Sequence, residues 1–81
     1  MTMKRTKIRY EVIGWLDAEN PQRPDSQSTW TRKSDAMAVA RKIKKNLNIV
    51  EVNRLTVNFW DEFDIHGCEL IASWTYGKKT A

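Results

Sequence analysis

The sequence predicts an α+β fold: a single four-stranded, mostly antiparallel sheet with one helix on one face, in the order β-β-α-β-β. Three observations carry this. Apolar and polar residues alternate in well-separated stretches, the period of two that a half-buried strand imposes. One central segment switches to helical spacing. Polar, proline-bearing sequence separates the first alternating stretch from the next, as a connection requires.

The first strand is read over Lys7–Leu16. Ile8, Tyr10, Val12 and Leu16 share one face; Lys7, Arg9, Glu11, Ile13 and Trp15 share the other. The stretch from Asp17 to Ser26 holds both prolines and reads as a loop. Ser28-Thr29-Trp30-Thr31 is rich in β-formers and gives a short second strand. Ser34 then occupies an N-cap position, with Asp35 in the first turn beside the positive end of the helix dipole. Ala36, Val39, Ala40, Ile43 and Leu47 form one apolar stripe, with Arg41, Lys42 and Lys45 opposite and Lys44 at the boundary. Asn46 or Asn48 suits a left-handed stop.

A third strand spans Val50 to Trp60. Leu55, Val57 and Phe59 alternate with Arg54, Thr56, Asn58 and Trp60, whereas Val50 and Val52 fall on the opposite parity. Either a bulge sits near Asn53 or the strand proper begins there. Asp61–Gly67 reads as a connection in which Gly67 supplies a positive φ. Cys68–Tyr76 is the fourth strand, with Leu70, Ala72, Trp74 and Tyr76 on one face. The expected core is therefore Ile8, Tyr10, Val12, Leu16, Leu55, Val57, Phe59, Leu70, Ala72 and Trp74 against the helix stripe. Residues 1–81 make one domain, and residues 1–6 and 77–81 are expected to be flexible.

Composition narrows the function. At 81 residues the chain buries only about 60% of its unfolded surface, so a large interdomain cleft is not expected. One cysteine excludes an internal disulfide. No apolar run approaches the ~18 residues of a membrane span, and the basic start leads into a strand rather than a signal segment. A cytoplasmic protein that binds no membrane is expected. Asp64, His66 and Cys68 alternate, but a stable transition-metal site usually takes four ligands, so no metal is expected. A Cys-His pair in a turn has no orienting third group or oxyanion hole. With three glycines there is no glycine-rich phosphate loop. Neither cofactor nor catalysis is expected.

The surface carries more information. The sheet face away from the helix is expected to hold Arg9, Glu11, Ile13, Trp15, Arg54, Thr56, Asn58, Trp60, Ile71, Ser73 and Thr75. Tryptophans clustered on such a face either shield each other or anchor an interface. A register slip of one residue would exchange the two faces. The net charge of +4 is unevenly distributed. Lys4, Arg5, Lys7 and Arg9 make a basic arm, and Arg32, Lys33, Arg41, Lys42, Lys44 and Lys45 a basic helix and approach. Asp61, Glu62, Asp64 and Glu69 make an acidic hairpin loop with no Lys or Arg. A basic stripe of this kind binds phosphates or an acidic protein surface, or simply stays solvated.

In compact length and topology the chain resembles small phage-encoded accessory proteins, above all the anti-CRISPR proteins built from a bent antiparallel sheet and one helix. The resemblance lies in Ile8–Val12, the helix from Ser34 to Ile43, the strand Arg54–Asn58 and the closing strand Cys68–Trp74. It implies a non-enzymatic inhibitor in the host cytoplasm that occupies a surface of a host protein or nucleoprotein complex. Many such inhibitors are acidic DNA mimics, a version that +4 argues against. The expected contacts are Arg9, Trp15, Arg41, Lys42, Lys45 and Trp60. The alternative is direct nucleic-acid binding, with phosphates on the basic arm and helix and bases stacked on Trp15 or Trp60. A third reading is a homodimer that buries the open sheet face.

Overall fold

The protein, as a computed structural model, is described over residues 5–17 and 23–81. Its elements are β1 (Thr6–Trp15), β2 (Ser26–Trp30), α1 (Lys33–Ile43), β3 (Ile49–Asn58), β4 (Ile65–Thr75) and β5 (Lys78–Lys79). They form one antiparallel sheet in the order β2-β1-β3-β4-β5, with α1 against β1, β2 and β3. The α+β architecture is as expected, but the sheet has five strands rather than four.

The fifth strand comes from the tail expected to be flexible. Tyr76 and Gly77 have φ of 51° and 81°. Two successive positive φ values match the tight turn whose twist suits a hairpin. The chain then pairs back on β4, and the Thr80 N–H donates to the Ser73 carbonyl at 2.8 Å. At the other end Thr6 already belongs to β1, while residues 1–4 of the expected flexible arm lie outside the described residues. So do residues 18–22 of the predicted loop. Its far end is anchored: the Asp25 N–H donates to the Gly14 carbonyl at 2.8 Å, and its carboxylate accepts from the Leu16 N–H at 2.6 Å.

The helix stripe is in place. Ala36 and Ala40 are fully buried, with Met37, Val39, Ile43 and Leu47 packed around Val12, Val50, Val52, Ala72 and Trp74. Two alanines let the helix axis approach the sheet closely. Both helix ends differ from expectation. The N-cap is Arg32, in extended conformation and without a side-chain cap, so Ser34 lies inside the first turn. The C-cap is Lys44 in right-handed conformation, and a tight turn follows in which the Asn46 and Leu47 N–H groups both donate to the Ile43 carbonyl. Among the described residues only Tyr76 and Gly77 have positive φ, so neither Asn46 nor Asn48 supplies a left-handed stop, and Gly67 does not take the positive φ expected of it.

The face assignment of β3 is the main correction. β1 and β3 pair without a register break from Thr6↔Asn58 to Trp15↔Ile49. Parity along β3 is therefore preserved. Val50 and Val52 point to the helix, and Leu55 and Val57 point to the other face. Both remain buried, at 4% and 1% exposure. The irregularities lie in β4 instead. Val52 pairs with Ala72 but Asn53 with Leu70, leaving Ile71 as an extra residue; Thr56 pairs with Gly67 but Val57 with Ile65, leaving His66 as another. Such bulges re-aim the side chains that follow them. Leu70, expected in the core, is thus turned outward and exposed. Gly67 lies within β4, opposite Thr56, rather than in a connection. Leu16 lies past the end of β1 and is exposed, so it too leaves the expected core.

Two stability outcomes follow. Gly14 faces the helix, and a Cβ there would collide with Leu47 Cδ1. Gly14→Val should cost about 1–3 kcal/mol as overpacking, and Leu47→Ala in the same chain should recover part of it. Urea titration of the double-mutant cycle measures both. Tyr76→Asn should raise stability by about 1 kcal/mol, because asparagine tolerates left-handed backbone that a tyrosine enters only at a cost. An unchanged urea midpoint would show that the turn carries no such strain.

Candidate functional site

The loop between β3 and β4 folds back over the face opposite the helix. It is closed by its own backbone: the Asn58 N–H donates to Asp64 O, Asp61 N–H to Asn58 O, and Asp64 N–H to Asp61 O, at 2.9–3.2 Å. Asn58 Oδ1 accepts from the Trp60 N–H, and Asp61 Oδ1 from the Phe63 N–H. These short-range bonds suit the polar Asn and Asp positions of a turn. They deliver Glu62 to the neighbouring strand. Arg9 Nε donates to Glu62 Oε1 at 2.6 Å, and Lys7 Nζ lies 4.0 Å from Glu62 Oε2.

Lys7 and Arg9 stand opposite Val57 and Leu55 in the β1–β3 ladder. Their aliphatic stems, held by Glu62, help keep those two side chains dry. The acidic loop is therefore not a remote counterweight to the basic arm; it is docked on it. Beside this ion pair lies a depression of about 430 Å³ lined by Glu11, Gln27, Thr29, Leu55, Glu62, Phe63 and Ile65 among others.

Along its rim the sheet is apolar and open to solvent. Phe63 is 96% exposed, Ile65 51% and Leu70 48%, and Cys68 is also exposed. On β4 these residues oppose Val57, Leu55 and Asn53, so they share one face. Carboxylates surround them: Glu69 and Asp64 are exposed by half or more, each beside one basic group, Arg54 at 3.8 Å and His66 at 3.2 Å. Asp64 and His66 meet as a pair only; among the described residues no three His, Cys, Asp or Glu side chains converge as metal ligands would.

The six expected contact residues divide between places. Arg9 lies on the open face but is spent on Glu62 and on the Ile8 carbonyl, to which Nη1 donates at 2.9 Å. Trp15 ends β1 and is only partly exposed; its buried Nε1 has no hydrogen-bond partner among the described residues. Trp60 is 72% exposed, but in the loop rather than on the sheet. It packs edge-on against Phe59 at 5.2 Å, and the Arg5 guanidinium covers the Phe59 ring at 4.1 Å. Arg41 and Lys42, in the last helical turn, and Lys45 just beyond it are exposed, on the opposite side of the sheet from the apolar rim. The other tryptophans are structural: Trp74 is core, and Trp30 packs against it with Nε1 donating to Ser28 Oγ at 2.8 Å.

The row of Phe63, Ile65, Cys68 and Leu70 was not singled out from sequence. Its one visible signal is a phenylalanine and an isoleucine set among Asp61, Glu62 and Asp64, too apolar for a purely solvated turn. No protein-family model matches the chain, and no curated protein or solved structure is significantly similar to it.

Removing the clasp should loosen the loop without unfolding the protein. Glu62→Ala should lower stability by less than about 1 kcal/mol, since the pair is half exposed. Amide exchange at Asn58, Asp61 and Asp64 should nevertheless quicken. Unchanged exchange at those three amides would show that Glu62 does not hold the loop.

Proposed function

We propose that the protein is a non-enzymatic binding protein of the inhibitor type, which docks the open face of its β3–β4 hairpin onto a host protein or nucleoprotein complex. The observation that carries this reading is the exposed apolar row Phe63, Ile65 and Leu70 beside the depression over Leu55. A small monomeric domain gains nothing by leaving a phenylalanine and two aliphatic side chains wet on one surface, and such patches with polar rims mark interfaces. The likeness to anti-CRISPR proteins in size and topology supports the inhibitor class. Trp60 at the end of the same loop supplies an aromatic anchor of the kind that dominates binding energy. The basic residues of α1 face away from this surface, which suits a complex containing both protein and nucleic acid.

A second reading, direct nucleic-acid binding, is favoured by the exposed row of Arg41, Lys42 and Lys45. Three phosphate contacts there would give a salt slope of about −3 on duplex DNA. No mobility shift at low salt would eliminate it.

The docking reading is tested by pull-down from the source cell with and without nuclease. Capture should survive nuclease, and a Phe63→Asp, Leu70→Asp double variant should abolish it while keeping its circular dichroism. Reversing Arg41, Lys42 and Lys45 to Glu should weaken capture only where nucleic acid is part of the complex. Capture indifferent to Phe63 and Leu70 would contradict the docking surface.

A further inference from the structure

β4 is a central strand at one end and an edge strand at the other. β5 pairs only with Trp74 and Thr75, and the last residues of the chain reach Ser73. From Ile65 to Ala72 the outer side of β4 has no strand partner among the described residues. Eight residues of strand offer about 27 Å of unpaired backbone donors and acceptors. Natural edges are usually blunted by lysine or proline. This one carries neither; its protections are the two bulges at His66 and Ile71, which leave Gly67–Leu70 as a regular stretch between them.

The side chains along this edge are of two kinds. Ile65, Cys68 and Leu70 point to the open face, and Glu69 points to the other. No Lys or Arg occurs between Leu55 and Gly77, although the chain as a whole is basic. Glu62 is matched by both Lys7 and Arg9, whereas Asp64 and Glu69 have one ion-pair partner each, His66 at 3.2 Å and Arg54 at 3.8 Å, and remain half exposed or more. From this we infer that the β4 edge accepts an extended segment of a partner protein by strand addition, and that the segment alternates apolar with basic residues. This rests on the docking reading above and deepens it by naming the partner's chemistry. The apolar positions lie beside Leu70 and Ile65 on the open face. The basic positions lie beside Glu69 on the opposite face. Backbone hydrogen bonds supply affinity, and the alternation supplies selection.

A second copy of the chain is a poorer occupant. Antiparallel pairing of two β4 edges about Cys68 would set the two Glu69 carboxylates on the same face of one ribbon, with an Asp64 at each end and no Lys or Arg within the paired stretch, and like charges across strands are destabilising.

The test uses the intact protein, labelled with nitrogen-15, and an acetylated, amidated octapeptide alternating lysine and valine. Exchange at alternate amides within Ile65–Ala72 should slow by about tenfold or more at saturation. Glu69→Lys should weaken binding severalfold. The glutamate-valine peptide and the fully N-methylated lysine-valine peptide should give no protection. Equal binding of the glutamate peptide, or protection absent from β4, would overturn the inference. So would concentration-dependent dimerisation through β4 in sedimentation without peptide. If cellular capture depends on Phe63 and Leu70 but the peptide protects no β4 amide, only strand addition fails. If capture ignores those residues, the docking reading itself fails.

Discussion

The unbroken ladder between β1 and β3 is the constraint on which the rest of the structure depends. Because ten successive residues pair without a slip, β3 cannot turn its apolar side chains to one face along its whole length. Its sequence changes parity at Asn53. Val50 and Val52 close the core beneath the helix, and Leu55 and Val57 face the other way. A regular strand with this pattern needs two covers, one on each side of the sheet. Eleven helical residues supply the first. On the second face Lys7 and Arg9 of β1, tied to Glu62 of the β3–β4 loop, stand beside Val57 and Leu55.

The same geometry places the candidate interface. The helix occupies one face near the β1–β2 end, so the distal hairpin projects beyond it, and the molecule is elongated, 48 × 26 × 17 Å. On that projecting part Lys7 and Arg9, held by Glu62, flank Val57 and Leu55, and the loop leaves its own Phe63 wet. The bulge at Ile71 keeps Ala72 and Trp74 in the core while rotating Leu70 out. Apolar exposure and negative charge therefore collect at one end, and the positive helix face lies on the other side of the sheet. Of the basic arm, Lys7 and Arg9 are already engaged by the loop.

Much of the local structure was legible in the sequence. The alternation of Tyr10 and Val12, the stripe from Ala36 to Leu47 and the burial of Trp74 follow from periodicity alone. The conflict between Val52 and Leu55 was also visible, but sequence could not say which strand would absorb it. A bulge in β3 would have put Leu55 under the helix. The pairing with β1 forbids that, and the irregularity moved to β4. Pairing partners are non-local, so no window along one strand reveals them. The fifth strand was hidden for a similar reason: Lys78 and Lys79 carry no apolar pattern, and backbone pairing alone holds them. The helix start was misread because Ser34 has the right chemistry for a cap, although the extended residue that serves is Arg32. Of the expected contacts, Trp60 and the basic helix residues are accessible, while Arg9 and Trp15 are drawn into intramolecular packing.

The face of Leu55 is the point on which the account turns, because the apolar rim of Ile65, Cys68 and Leu70 shares it. Methyl-directed nuclear Overhauser spectroscopy measures it directly. The account predicts cross-peaks from the Leu55 methyl groups to Ile65 and to the Arg9 side chain, and none to the Ala36 or Ala40 methyls. Cross-peaks from Leu55 to the helix alanines, with none to Ile65 or Arg9, would contradict it.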